Sequence, residues 1–350
     1  MSLPQVRALR LSLAVTASIA FSYGVAWPMA YMVPLFVAMF LSMPLPWMGW
    51  PMAFKVIKRL WVGLLIGLVI SEFFLRFPLV CVPFYGLFFF YVFFNDAKAP
   101  PLSTIFMMIG ATMVPIIGLQ ATVASHYVAM FILFDLLVGF FITWFFHWLL
   151  PNGMARVDPN AAKPQQPAPK PIPPREERAR LALVSTLVST TAVLLFFSLN
   201  LVQYSLAMMY ICMMAGAPST HASLKVMTNN SKSCFIGGVA IIVAYNLLVA
   251  VPSYWFLLIL SLAFCLFFAQ KINSGKANAA IWSSGFTTFL VLLGSSTGVD
   301  SSAGSSFYLR IAQVIFAGLF CILSIVVIEH WMQRRGRRRS WRLLSKPTVG

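Results

Sequence analysis

Acidic residues are scarce in this chain: 8 Asp and Glu stand against 25 Lys and Arg, and charged residues make up only 9% of 350 positions. A soluble domain of this length needs a charged exterior, so the deficit excludes one. The glycine patterns that cradle phosphates are missing too. There is no P-loop, dinucleotide fingerprint or HExxH, which excludes the common nucleotide-driven enzymes and the HExxH metalloproteases. Neither an enzyme activity, nor a catalytic residue, nor a cofactor is expected. The five cysteines, Cys81, Cys212, Cys234, Cys265 and Cys321, have no CxxC spacing and read as packing residues. Glu329 beside His330 is too small a donor set for a metal site. The period-2 alternation of a membrane barrel is absent as well.

What the chain does have is apolar: 60% of residues are hydrophobic and 32 are Phe. A bilayer core of about 30 Å takes about 20 apolar residues per helix. Helices are the way continuous apolar sequence satisfies its own backbone in lipid. The expected fold is all-α, a polytopic membrane protein of about twelve transmembrane helices. Spans are expected at 10–28, 30–48, 60–75, 77–94, 102–121 and 126–149, then at 181–199, 203–217, 234–251, 253–270, 277–295 and 308–332. The first stretch runs past Pro28 without an A-x-A site, so it is expected to stay as helix one.

Three signatures recur in order. Arg10 and Lys55 return as Arg180 and Lys225 at an offset of 170, Asn95-Asp96-Ala97-Lys98 as Asn273-Ser274-Gly275-Lys276 at 178, and His147-Trp148 as His330-Trp331 at 183. An offset that only grows is what loop insertions produce, so two six-helix repeats of parallel topology are expected. The organisation follows: a first repeat over 1–150, a Pro-rich cytoplasmic linker over 151–177, a second repeat over 178–333 and a basic tail over 334–350. The linker, with its Pro, Ala, Lys and Gln, suits an extended spacer. Arg175-Glu176-Glu177-Arg178 reads as the charged start of helix seven.

With the N-terminus inside, every basic residue except Arg76 and Arg310 falls on the cytoplasmic side. Both termini are therefore expected there. The formal charge of +17 and the run Arg334-Arg335-Gly336-Arg337-Arg338-Arg339 suggest nucleic acid when taken alone. A basic cluster just after a final span is better explained by anionic headgroups, and no nucleic-acid partner is expected.

Ionisable residues inside apolar runs are the first candidates for chemistry. Asp135 stands alone within 129–139, about one third of the way in from the outer face, and is the candidate for proton coupling. The alternative is a carboxylate paired structurally with a neighbouring helix. Glu72 and Arg76, four apart near the outer end of helix three, are expected to share a face and pair. Arg310 opens the last helix beside Tyr308 and either receives an anion or sits among headgroups. His147 and His330 adjoin Trp148 and Trp331 and are expected as interface anchors. Helix breaks are expected at Pro44-Leu45-Pro46 and at 216–221. The Gly- and Ser-rich stretch 294–306, which contains Ser296 and Asp300, reads as an outer loop or a gate. Lys55, Lys58, Arg59 and Lys225 are placed to attract anions from the cytoplasm.

An N-terminal Arg, the Trp27-Pro28 turn, a Pro-punctuated second helix, a basic loop and a Gly63-x-x-x-Gly67 helix together resemble the fusaric-acid-resistance and aromatic-acid-exporter superfamily. The resemblance covers both halves and their six-plus-six arrangement. It implies export of small organic anions, often aromatic acids, by a bacterial inner-membrane protein that works with a periplasmic membrane-fusion adaptor. Better-known members carry a large cytosolic domain between the halves, where this chain has only its linker. The expectation is a proton-coupled efflux transporter in the lipid bilayer, with a homo-oligomer as a further option. The competing readings are a non-transporting scaffold or envelope assembly factor and, more weakly, a lipid-modifying membrane enzyme.

The topology is directly testable. A fluorescent protein that matures only in the cytoplasm is expected to glow when fused after Gly350, and alkaline phosphatase inserted after Val299 is expected to be active. Phosphatase activity at the C-terminus instead would invert the orientation.

Overall fold

A computed structural model describes residues 2–42, 49–95, 101–154, 174–199, 224–275 and 278–296, together with Met208, Phe320, Leu323, Ser324, Val327 and His330. Among them the chain is all-helical, with no strand. The helices are α1 (Leu3–Gly24), α2 (Met32–Ser42), α3 (Trp50–Val69, continued by a π turn over Ile70–Phe74), α4 (Pro78–Asn95), α5 (Pro101–Gly118) and α6 (Thr122–Leu149). After a 3-10 turn at Asn152–Met154 come α7 (Arg175–Ser198), α8 (Leu224–Ala250), α9 (Tyr254–Ile272) and α10 (Ala279–Ser296). Four helical segments, Thr122–Met154, Arg175–Ser198, Lys232–Ala250 and Tyr254–Ile272, are long and apolar enough to cross a membrane.

Helix starts follow local chemistry more than apolarity. Pro4 and Pro51 occupy the first turns of α1 and α3, where a missing N–H removes no intrahelical bond. The Ser2 N–H donates to Gln5 Oε1 at 2.9 Å, and Ser253 Oγ accepts from the Phe256 N–H at 3.1 Å to open α9. Several helices therefore begin before their apolar stretch does. The expected basic loop is helical: Lys55 and Lys58 are exposed on the first turns of α3, and Arg59 is half-buried there. Lys225 and Lys232 likewise lie within α8, and Arg175 to Arg178 within α7. Ser296 ends α10 in helical backbone, so 294–296 belongs to a helix and not to the expected loop. Asp300, Arg310, the breaks at Pro44-Leu45-Pro46 and 216–221, and nearly all of the spans 203–217 and 308–332 lie outside the described residues.

The exterior is that of a protein surrounded by lipid. Leu79, Leu87, Trp255, Phe141 and Phe235 are largely exposed along helices whose other faces are buried. Inside, α3 packs along α5, α8 along α10, α1 along α9 and α4 along α7, while α2 and α6 lie together beside α1. One apolar cluster joins α1 and α2 to α8, α9 and α10, and another joins α4 and α5 to α7. The Tyr254 hydroxyl donates to the Ala20 carbonyl at 2.7 Å and ties the start of α9 to α1.

Two of these pairings rest on backbone contact. A Cβ at Gly67 would lie 2.5 Å from the Gly110 carbonyl oxygen, and one at Gly110 would lie 2.5 Å from the Leu64 nitrogen. A Cβ at Gly237 would meet the Gly285 carbonyl at 2.6 Å. Without water to drive association, small residues that let helices approach supply the packing.

Gly110→Val is expected to lower stability by about 1–3 kcal/mol through overpacking, read as a fall in melting temperature in detergent. Gly153→Ala, with nothing within 4 Å, serves as the neutral control. Equal melting points for both variants would show that α3 and α5 separate freely.

Candidate functional site

Asp135 lies midway along α6 and is fully buried. Its partner comes from the connection between α1 and α2. Trp27 Nε1–H donates to Asp135 Oδ1 at 2.6 Å. The other carboxyl oxygen, Oδ2, is buried and has no hydrogen-bond partner among the described residues. No Lys, Arg or His among the described residues forms an ion pair with it. The site is thus a carboxyl with one oxygen committed and one open, which can take up a proton.

The turn that delivers Trp27 is unusual. Ala26 and Met29 have φ of 52° and 54°, the left-handed region that non-glycine residues seldom adopt. Each such residue stores about 1–3 kcal/mol of strain. Backbone bonds hold it: Trp27 N–H donates to the Ser22 carbonyl at 2.8 Å and Met32 N–H to Met29 at 2.8 Å. Ring contacts hold it as well, since the Trp27 indole meets Phe131 edge-on at 6.2 Å and Phe21 at 6.0 Å. Tyr31 is near enough to Asp135 to interact with it electrostatically, and a Cβ at Gly294 of α10 would fall on the Tyr31 ring. The connection between α1 and α2 therefore meets α6 at this carboxyl, with Phe21 of α1 against Trp27 and Gly294 of α10 against Tyr31.

A second polar group sits toward the start of α6. Ser71 Oγ donates to Ser125 Oγ at 3.1 Å, and Glu72 Oε1 lies 3.6 Å from His126 Nε2. Glu72 does not pair with Arg76. The chain leaves the helix after the π turn at Ile70–Phe74, so the four-residue spacing no longer sets the two side chains on one face. Arg76 is exposed. Because Glu72 and His126 are each partly open to solvent, their pair contributes about 1 kcal/mol at most, and only when His126 is charged.

At the other end of α6, His147 is buried rather than an interface anchor, with Nδ1 3.0 Å from the Thr143 carbonyl oxygen. Trp148 is 70% exposed and takes the anchoring position alone. His330 is exposed. Lys55 and Lys58 are exposed near the start of α3, the end opposite Glu72, and Arg59 Nη1 reaches Met107 Sδ at 3.6 Å. The basic candidates and Asp135 are not brought together. Among the described residues no group of His, Cys, Asp and Glu is arranged to hold a metal ion.

Sequence reasoning located Asp135 but missed Trp27 as its partner, and missed Tyr31 and His126. The only available signal for the first was a Trp-Pro pair between two apolar runs.

Trp27→Phe keeps a ring against Phe131 and removes the indole N–H. It is expected to destabilise the protein by about 1–3 kcal/mol by leaving both carboxyl oxygens unpaired, measured by thermal unfolding in detergent. An unchanged melting point would mean that the bond carries no energy.

Compared with family models, curated proteins and solved structures, the chain matches none.

Proposed function

We propose that this chain is a bacterial inner-membrane efflux transporter for small organic acids, aromatic ones among them, driven by the proton gradient. The observation that carries the reading is the Asp135 carboxyl, fully buried, with an open oxygen and no ion pair to a cation among the described residues. In a scaffold the bond to Trp27 has a use but the open oxygen has none, because an unpaired polar atom in a buried site costs stability. In a transporter the same group has a task. Binding a proton at Oδ2 in one state and releasing it in another links occupancy to conformation.

The reading includes a twelve-helix architecture of two six-helix repeats related by an axis along the membrane normal. It is supported by the pairings among the described helices. In terms of the expected spans, α1 against α9 is the first against the tenth, and α4 against α7 is the fourth against the seventh. Advancing the first pairing by six spans, cyclically, yields the second. The glycine-tight pair α3–α5 advances to α8–α10 in the same way. A duplicated bundle generates this pattern.

In this scheme Lys55, Lys58, Arg59 and Lys225 concentrate anions at the cytoplasmic entrance. Ser296, Asp300 and Arg310 meet them at the outer mouth, and a periplasmic adaptor receives them. Glu72 with His126 stabilises the outer end of the bundle.

The test is accumulation of radiolabelled aromatic and aliphatic acids in deletion and overexpressing cells, with and without a protonophore. Asp135→Asn is expected to abolish gradient-driven export while the protein stays folded in the membrane. Full export by that variant would remove Asp135 from the mechanism. No export of any acid by the parent protein, with its adaptor present, would favour the scaffold.

A further inference from the structure

At the end of the α1–α6 pair that carries the N-terminus, a second set of buried polar groups stands apart from Asp135. Arg10 is only 4% exposed. Its Nη1 donates to the Leu150 carbonyl at 3.2 Å and to Asn152 Oδ1 at 3.1 Å, closing the end of α6. Its Nε is buried and has no acceptor among the described residues, and the same holds for Nε of Arg7, one turn earlier on α1. No Asp or Glu among the described residues forms an ion pair with either arginine. The nearby His147 contributes no negative charge, and its Nδ1 is engaged by Thr143. Two guanidinium groups thus lie one helical turn apart with unused donors and no counter-charge among the described residues, an arrangement suited to an oxyanion.

We propose that Arg7 and Arg10, with Asn152 at the rim, bind the phosphate of an anionic phospholipid at the surface of the membrane. The lipid origin follows from the surroundings. Trp148 and Leu149, in the last turn of α6, are 70% and 44% exposed, so hydrocarbon reaches the helix end that Arg10 closes. Asn152, Gly153 and Met154 are exposed beyond it, where a headgroup lies. A phosphate there neutralises the two guanidinium groups, whose charge hydrocarbon cannot satisfy. This inference does not depend on the transport reading.

The full chain, delipidated in detergent, is titrated with phosphatidylglycerol, phosphatidylcholine and inorganic phosphate, and bound lipid is counted by native mass spectrometry. Phosphatidylglycerol is expected to bind more tightly than phosphatidylcholine. Arg7→Gln is expected to weaken the anionic lipid about fivefold, and Arg10→Gln further. Arg7→Gln leaves the bonds of Arg10 to Leu150 and Asn152 in place, so it reports on the site even where Arg10→Gln does not fold. Lys271→Gln, on α9, is expected to bind as the parent does. Equal phosphatidylglycerol affinity in the parent and Arg7→Gln overturns the site. Displacement of the lipid by inorganic phosphate at matching concentration overturns its lipid origin and assigns a soluble anion.

Discussion

Hydrocarbon offers no hydrogen bonds, and that constraint organises this molecule. Polar side chains along the helices answer it mostly within their own helix. Ser18 donates to Val15, Thr112 to Met108, Thr186 to Ala182, Thr288 to Ser284 and Asn246 to Ile242. Such bonds to the preceding turn neutralise a hydroxyl or amide without calling on another helix. Against that background the unsatisfied atoms stand out. Unpaired hydroxyls such as those of Ser185 and Ser189 are tolerable, since a hydroxyl left alone costs about 1–3 kcal/mol. An unpaired carboxyl oxygen or guanidinium nitrogen is a heavier burden, and among the described residues these occur at Asp135, at Arg7 with Arg10, and at Arg178, whose guanidinium lies over the Phe94 ring.

The same constraint explains how the helices associate. Lipid is as apolar as any core, so helices gain by packing closely rather than by leaving water. The α3–α5 and α8–α10 pairs do this through glycines that bring backbone onto backbone. The α4–α7 pair relies on large rings instead, with Tyr85 edge-on to Phe197 at 5.8 Å and its hydroxyl bonded to the Ala111 carbonyl of α5 at 3.0 Å. Arg178 adds its guanidinium over the Phe94 ring at 5.2 Å. Backbone-tight pairs resist sliding because any shift drives a carbonyl into a neighbouring residue. Ring-packed pairs have rotamers with which to adjust.

These features were unevenly legible in the sequence. Composition and long apolar runs announced an all-helical membrane chain, and a lone Asp in eleven residues of apolar sequence announced Asp135. Its partner was not readable, because Trp27 reaches it only through a turn with Ala26 and Met29 in the left-handed region. Neither residue type advertises that conformation, which the surrounding bonds impose. The Glu72–Arg76 pairing failed because a π turn is invisible in periodicity. The basic stretch at Lys55 to Arg59 reads as a loop because it is charged, yet it is helical, and Pro51 behind Trp50 is the helix-start signal. His147 was assigned to the interface by its Trp neighbour, yet consecutive helical residues point about 100° apart and only one of them faces out.

Two of these polar exceptions share the same pair of elements. Trp27, just past the end of α1, holds Asp135 of α6, and Arg10, near the start of α1, holds the Leu150 carbonyl at the end of α6. One helix thus grips another at two places about 20 Å apart along α6, taking a rise of 1.5 Å per residue. The grips differ in kind. The Arg10 grip bonds a fixed cation to a backbone carbonyl and an amide, none of which changes charge. The Trp27 grip bonds an indole to a carboxyl that has two protonation states, from a turn held in the left-handed region at Ala26 and Met29. A change at Asp135 therefore bears directly on the Trp27 grip, while the bonds of the Arg10 grip involve none of the same atoms.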